Sequence, residues 1–242
     1  MHHRIVSILH LFKQDPSQLL DRPAIIAICL SVGHQWRTCF FDPVNTIHIF
    51  MIQIFHENTA ITHLPHLAGK AFSAAAYCLA RSRLPLEVFP RLVRSVADSL
   101  LTATGDTGRW LGHRVFVVDG SAFSMPDTPE LQAQFGQTTA QRAGCGFPIA
   151  HILALFHVGT GMLLEVLTGP LYTHDRADVT RLHPLLGLGD VLLGDRGFCS
   201  FAHLALLVER GVQGVFRMHQ RQIVDFTPNR AHRRPGEKKA PK

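Results

Sequence analysis

Hydrophobic residues recur at helical spacing through the first hundred residues. Apolar positions separated by three and four residues, bounded by start and stop residues, predict amphipathic helices. These predicted helices cover 6–12, 18–32, 46–57, 66–83 and 86–102. The segment Gly-Asp-Thr-Gly at 105–108 is typical of a turn. We therefore predict an α-helical N-terminal region, residues 1–108, that ends at this turn.

After the turn the pattern changes to alternating strands and helices. Short apolar runs bounded by glycine or proline predict strands, and a 3.6-residue period predicts the helices between them. The strands cover 114–119, 149–158, 162–167, 190–193 and 213–218, and the helices cover 175–186 and 201–210. Residues 121–141, rich in Pro, Thr, Gln and Gly, are predicted to form a long surface loop. The order of elements predicts a mixed α/β domain over 109–218.

The composition favours a globular protein without a membrane segment. The 242 residues are 46% hydrophobic, which is enough to bury a sizeable core. The longest apolar runs, 24–32 and 47–55, are shorter than the roughly 20 residues that a spanning helix needs. The first residues lack the pattern of a signal peptide. We expect a cytoplasmic protein with no membrane partner.

The positive charge is concentrated at the C-terminal end. The net charge is +6, and residues 219–242 contain seven Lys or Arg against two acids. Such a basic tail suits phosphate backbones, although a solvated terminus explains it equally well. The five cysteines are widely spaced without a Cys-x-x-Cys pair, so we expect reduced thiols and no zinc site.

Two aspartates follow apolar runs that are typical of buried strands. Asp119 precedes a glycine and Asp195 precedes Arg-Gly. Ligands of open α/β sheets bind at the carboxyl ends of strands, so neighbouring strands would bring these carboxylates together. Carboxylate oxygens suit Mg²⁺, and a two-metal site of this kind would serve phosphoryl transfer but normally requires a third carboxylate. Each aspartate is also compatible with a simple turn or capping role.

Arginines near these positions are candidate DNA contacts. Guanidinium groups bind phosphates through two parallel hydrogen bonds. Arg196, Arg217 and Arg221 lie close to the predicted strand ends, and Arg81 and Arg83 end a helix that is rich in small residues. The alternatives are solvent-facing charge for the first three and complementation of the helix dipole for the other two.

Eight stretches, in order along residues 36–226, resemble the DDE transposases of bacterial insertion sequences, specifically the insertion-sequence-four family. They include Val-Asp-Gly-Ser around Asp119 and Gly-Asp-Val-Leu-Leu-Gly-Asp-Arg-Gly-Phe around Asp195. The matching stretches lie at 42–46, 72–77, 80–86, 118–121, 124–129, 144–148, 189–198 and 216–221.

The resemblance implies a ribonuclease-H-like catalytic domain behind a helical N-terminal region that helps to bind transposon ends. It makes Asp119 and Asp195 the first two catalytic acids and the ligands of a two-metal Mg²⁺ site. The implied reaction is cleavage and strand transfer of DNA phosphodiesters. The implied partners are double-stranded DNA, both transposon ends and target, and a second copy or an intact transposase.

The sequence departs from the family at the third acid. The family motif Tyr-x2-Arg-x3-Glu is absent, because Tyr77 and Tyr172 are followed three residues later by Ala80 and Asp175. Glu209 and Glu237 do not occupy the family's position. We therefore expect a C-terminally truncated transposase whose incomplete sheet domain lacks the final helix and which is inactive alone.

Two other functions remain open at this point. The chain could be a non-catalytic DNA-binding inhibitor of an intact transposase. A phosphatase of the haloacid-dehalogenase kind is disfavoured, because that chemistry requires a second aspartate two residues after the first, where this chain has Ser121.

Overall fold

The computed structural model describes residues 17, 20–105, 108–138, 142, 145–171 and 178–218. The predicted helix at 6–12 and the basic tail 219–242, which contains Arg221, lie outside the described residues. In the described part, no helix combines the length and the apolarity that crossing a membrane would require.

Helices fill the described chain up to residue 104. They are α1 (Arg22–Ser31), α2 (Pro43–Phe55), α3 (Leu64–Leu67), α4 (Ala74–Ser82) and α5 (Val88–Thr104), and a 3₁₀ turn, Ile61–His63, precedes α3. Asp21 and Asp42 cap the first two helices by accepting backbone N–H bonds from Ala24 and Asn45, each at 2.8 Å. The helical N-terminal region therefore follows from ordinary start signals in the sequence.

The helix predicted over 66–83 is wrong as one continuous element. The short helix α3 is followed by Gly69 at φ +61°, a backbone conformation that glycine adopts readily. Helix α4 begins only after Ser73, whose hydroxyl accepts a hydrogen bond from the Ala76 N–H at 3.2 Å. A helix stop and a new start therefore lie inside a segment whose apolar spacing is continuous.

A five-stranded sheet carries the second half of the chain. Its strands are β1 (Val115–Ser124), β2 (Ile149–His157), β3 (Met162–Pro170), β4 (Val191–Gly194) and β5 (Gln213–Phe216). The spatial order is β3-β2-β1-β4-β5, with antiparallel pairing among the first three strands and parallel pairing of β1 with β4 and of β4 with β5. This mixed sheet confirms the ribonuclease-H-like class. Among the described residues, which end at Met218, no helix follows β5.

The elements around the sheet differ from the prediction in two places. The loop predicted over 121–141 is partly wrong: β1 continues to Ser124, and a helix, α6 (Pro129–Phe135), follows Thr128, whose hydroxyl accepts the Leu131 N–H. The helix predicted over 175–186 is, in its described part, a 3₁₀ helix, Val179–Leu185, because in an α-helix the Pro184 ring would clash with the carbonyl four residues earlier. Helix α7 (Phe201–Glu209) lies close to its predicted position.

One face of the sheet carries the main core, and helix α5 joins that core to the N-terminal helices. Ala97 of α5 packs in the sheet cluster, whereas Val88 and Leu92 of the same helix pack against α1 and α2. The Arg94 guanidinium also donates to the buried Glu165 carboxylate of β3. The sheet cluster includes Phe116, Val118, Leu153, Leu155, Leu192, Phe198 and Leu207. The helices and the sheet therefore share a structural element.

Candidate active site

Asp119 lies on β1 at the point where the strand leaves the core. Phe116 and Val118 are buried in the sheet cluster, and side chains alternate between faces along a strand. Asp119 therefore lies on the opposite face, together with Val117, and it is exposed. Its Oδ1 accepts a hydrogen bond from the Gly120 N–H at 2.9 Å, and this bond orients the carboxylate.

Asp195 follows β4 directly and is also exposed. Its Oδ1 accepts a hydrogen bond from the Gly197 N–H at 2.7 Å. A Cβ atom at position 197 would lie 2.9 Å from that same oxygen, closer than side chains approach. Glycine at 197 therefore permits the turn that holds this carboxylate.

The register of the parallel strands sets the two aspartates side by side. Val115 pairs with Val191, and Val117 pairs with Leu193. Asp119 stands two residues after Val117 on β1, and Asp195 stands two residues after Leu193, directly beyond the end of β4. Because neighbouring strands lie about 4.8 Å apart, this register brings the two aspartates to adjacent positions along the chain direction.

Arg217 extends this row onto β5. The register of β4 with β5 pairs Gly194 with Phe216, so the next residues along are Asp195 and Arg217. The Arg217 N–H donates to the Gly194 carbonyl at 3.3 Å, and its side chain is exposed. Arg196, also exposed, follows Asp195 in the chain. The structure therefore brings four of the predicted site residues to one edge of the sheet.

An ion pair between Arg114 and Asp190 fixes this register at the opposite end of the strands. The Arg114 Nε and Nη2 atoms donate to the two carboxylate oxygens of Asp190 at 2.8 and 2.7 Å. Asp190 is 3% exposed and also accepts the Gly187 N–H. Each catalytic candidate stands five residues after one member of this pair. Neither residue was predicted from the sequence, although their equal spacing to the aspartates was a usable signal.

Close packing supports the turn that carries Asp195. A Cβ atom at Gly194 would lie 2.9 Å from Phe216 Cδ1 and 3.1 Å from Phe198 Cδ2, so these rings cover the strand end directly. Phe198 is 1% exposed, and its carbonyl accepts a hydrogen bond from His203 Nδ1 at 2.8 Å. The segment that follows Asp195 is therefore held by aromatic packing and by one buried histidine.

His203 belongs to a stacked pair of buried histidines. Its Nε2 lies 3.1 Å from Nε2 of His183, and the two rings are 13° from parallel. Because the Phe198 carbonyl only accepts, His203 Nδ1 carries the proton and its Nε2 accepts the N–H of His183. Burial is the main cause that lowers both pKa values, and the pKa of His183 falls to about 4. Both rings are therefore neutral near pH 7.

Arg81 and Arg83 lie away from the aspartates, at the end of α4. The Arg81 guanidinium lies 4.3 Å from the centre of the Phe50 ring and donates to Gln53 Oε1 at 3.3 Å, so it is held by intramolecular contacts. Arg83 is exposed, and within the described ranges no carboxylate contacts its guanidinium.

The carboxylate oxygens of the two aspartates are the type of ligand that a hard cation such as Mg²⁺ prefers. Asp119 and Asp195 offer carboxylate oxygens, and in each the Oδ2 atom has no hydrogen-bond partner among the described residues. No group of three His, Cys, Asp or Glu side chains that could hold a metal occurs in the part of the chain that the structure describes. The two aspartates therefore supply part of a ligand set.

The sheet order defines the protein as an α/β protein of the ribonuclease-H-like class. The family model described as "Transposase DDE domain" matches residues 110–241, which is more than half of the chain. The chain therefore belongs to the DDE transposase family, as the resemblance implied.

A curated relative and several solved structures are similar to this chain. "Putative transposase InsZ" of Escherichia coli (strain K12) is 28% identical over 106 residues, which cover 42% of this chain and 34% of the relative. The chain thus matches about a third of that relative's length. The piggyBac transposase synaptic complex with hairpin DNA is 13% identical with a TM-score of 0.42, over 88% of this chain and 51% of that one. The Mos1 transposase paired-end complex is 11% identical with a TM-score of 0.29, over 75% and 60%.

Proposed function

We propose that this chain acts on DNA as a transposase with two of three catalytic acids. Its reaction class is Mg²⁺-dependent cleavage and strand transfer of DNA phosphodiesters at transposon ends. The observation that supports the proposal is the pairing of Val117 with Leu193, two residues before Asp119 and Asp195, in a chain of the DDE transposase family.

The proposed roles follow from the chemistry of the side chains at this edge. Asp119 and Asp195 would hold Mg²⁺ through their carboxylate oxygens. The bound ion would stabilise negative charge on the attacking and leaving oxygens of a phosphodiester. Arg196 and Arg217, exposed beside the carboxylates, would orient the phosphate by charge-assisted hydrogen bonds.

We propose that the chain alone does not complete the reaction. Its sequence contains no Tyr-x2-Arg-x3-Glu motif, and Glu209, the acid of α7, is exposed in the last turn of that helix. No third carboxylate joins the two aspartates in a metal-binding group within the part of the chain that the structure describes, and this supports the proposal.

DNA binding would be shared between the sheet edge and the helical region. Arg83 is exposed and free of carboxylate contacts within the described ranges, whereas the intramolecular contacts of Arg81 make it a weaker candidate. Arg221 and the rest of the basic tail add charge that suits phosphates. A homodimer or a mixed assembly with an intact transposase would provide the second DNA-binding unit that two ends require.

The experiment combines DNA binding with strand cleavage. Duplex DNA from the flanks of this reading frame is the substrate, and the affinity should fall steeply as salt rises, because each neutralised phosphate releases counterions. The purified chain with Mg²⁺ should leave the duplex uncut. If the chain does cut the duplex and Asp119→Asn cuts it at the same rate, the assignment of Asp119 to the active site is wrong. Salt-independent affinity, or none for any duplex, would overturn the proposal of a DNA-acting protein.

A second candidate function is a non-catalytic inhibitor of an intact transposase. The exposed arginines favour it, because they can bind DNA whether or not the metal site is complete. An inhibitor should reduce cleavage by an intact family transposase, and Asp119→Asn should inhibit equally well. If the chain instead takes part in catalysis, adding it to the intact transposase should raise cleavage, and the Asp119→Asn variant should not raise it.

A further inference from the structure

A groove of about 890 Å³ lies in the helical region. It runs between the connection from α1 to α2 and the end of α4. Aromatic and cationic side chains line it, among them His34, Trp36, Arg37, Phe41 and Arg83. Its volume lies within the range of pockets that enclose small ligands, roughly 300–1,000 Å³, so it fits one or two nucleotide units and not a duplex.

The groove is positively charged. Arg37 and Arg83 both line it and are exposed, and no carboxylate lines it. Among the described residues, neither guanidinium contacts an acid. The acid nearest to Arg37 in the sequence, Asp42, is already bound by Arg22 at 2.9 Å and by the Asn45 N–H. Two guanidinium groups are therefore available for an anion, and phosphate is the anion they bind best.

Two aromatic rings that stack on each other form one wall of the same groove. His34 and Trp36 are stacked, with ring centroids 5.6 Å apart and planes 30° from parallel. Burial lowers the pKa of His34, which keeps this ring neutral near pH 7. Trp36 packs against the core of the N-terminal helices, so the wall is fixed in place. A rigid aromatic surface beside two cations is the combination that binds an unstacked base together with its phosphate.

We propose that this groove binds an unpaired nucleotide of DNA, with its phosphate on Arg37 and Arg83 and its base against the Trp36 and His34 rings. The nucleotide would come from a frayed or single-stranded segment of the DNA, and this part of the inference rests on the proposed function. A base inside a duplex keeps both faces stacked on its neighbours, so only an unpaired base can use the wall.

The test follows the emission of Trp36. The chain has two tryptophans, so Trp110→Phe makes Trp36 the single emitter. This protein is titrated with a blunt duplex, the same duplex with a single-stranded overhang, a short single strand and a nucleoside monophosphate. We expect quenching by the overhang and by the single strand, and about tenfold tighter binding of the overhang than of the blunt duplex.

Two sets of variants distinguish binding in the groove from non-specific attraction of DNA to positive charge. Arg37→Gln with Arg83→Gln should remove the preference for the overhang and the quenching, while circular dichroism shows that the helices persist. Lys70→Ala removes an exposed cation of the same region outside the groove and should leave both unchanged.

The titration gives different results if the groove proposal fails and if the proposed transposase function fails. Equal affinity for blunt and overhang duplexes with unchanged Trp36 emission would overturn the groove proposal and leave DNA binding intact. Quenching by the single strand and the monophosphate without any duplex binding would uphold the nucleotide groove and refute the transposase proposal. No quenching by any of the four probes would overturn the groove.

Discussion

Each of the two aspartates has one carboxylate oxygen held by a nearby backbone N–H. Asp119 accepts from the next residue and Asp195 accepts from the residue two positions on. This leaves Oδ2 of each side chain available while the carboxylate keeps a fixed orientation. Preorganised ligands bind a cation better than mobile ones, because less conformational freedom is lost on binding. These local hydrogen bonds therefore prepare both residues for the role we propose.

A methyl group at position 197 tests this preorganisation. In Gly197→Ala the new Cβ would lie 2.9 Å from Asp195 Oδ1, so the turn must shift and the carboxylate with it. We expect Mg²⁺ affinity, measured by titration calorimetry, to fall about tenfold, which corresponds to about 1.4 kcal/mol. Gly33→Ala is the control, because it strains a glycine at φ +71° far from the site and should leave Mg²⁺ affinity unchanged. Equal affinities for Gly197→Ala and the parent would contradict the account.

The buried His183–His203 pair predicts how stability depends on pH. Its lowered pKa values mean that the unfolded state binds more protons than the folded state between about pH 6.5 and about pH 4. The free energy of unfolding should therefore fall as pH drops through this window, by roughly 3 kcal/mol from His183. Above about pH 6.5 both states are neutral and the effect vanishes.

Urea unfolding at several pH values measures this dependence, and a variant isolates the pair. His183→Gln cannot be protonated in this range, so its stability should change less with pH than that of the parent. Parallel pH dependences for the two proteins would show that His183 does not carry the effect.

At the scale of elements, the aspartates depend on a feature at the other end of their strands. The Arg114–Asp190 ion pair joins the starts of β1 and β4, and a register slip of one residue would turn every side chain to the other face. Asp190 is buried, so a slipped pairing would also leave its charge without a partner. This ion pair therefore acts on the site by positioning.

Arg114→Met is expected to destabilise the fold by about 3 kcal/mol, because it leaves a buried carboxylate uncompensated. Urea unfolding measures the loss. Arg181→Met is the matched control: its ion pair with Asp178 lies near the surface, with an exposed Arg181 and a half-buried Asp178, and should contribute less than about 1 kcal/mol. Similar losses in the two variants would mean that the Arg114–Asp190 pair does not have the structural role we assign.

The sequence predicted the strands better than the helices, for a physical reason. Each strand is a short apolar run with glycine or proline nearby, so its limits are marked by composition. Apolar spacing continues through residues 66–83, and only Gly69 and Ser73 reveal two helices there. The helix α6 was missed because seven residues with few apolar positions give almost no periodic signal.

The positions of the two aspartates could also be predicted, since polarity changes abruptly after the apolar runs that precede them. The apolar pattern alone could not predict that they are adjacent, because strand order is a property of the folded sheet, and only the family resemblance implied it. The groove beside Arg37 was missed for the same reason, since Arg83 reaches it from a helix that lies more than forty residues further along the chain.

At the scale of the whole molecule, the two faces of the sheet differ. Helices α5 and α7 contribute Ala97 and Leu207 to the cluster on one face. The opposite face carries the aspartates and exposes Val215. Among the described residues no third His, Cys, Asp or Glu joins the two aspartates in a group that could hold a metal. The proposed metal site therefore rests on this pair of carboxylates.

The most direct test of this claim is a titration with Mn²⁺, which shares the preference of Mg²⁺ for oxygen ligands and is followed by electron paramagnetic resonance. The account predicts weak binding of the ion to the parent chain, and loss of that binding in Asp119→Asn and in Asp195→Asn alike, because both carboxylates hold the same ion. Binding that persists unchanged in either single variant would contradict a shared metal site.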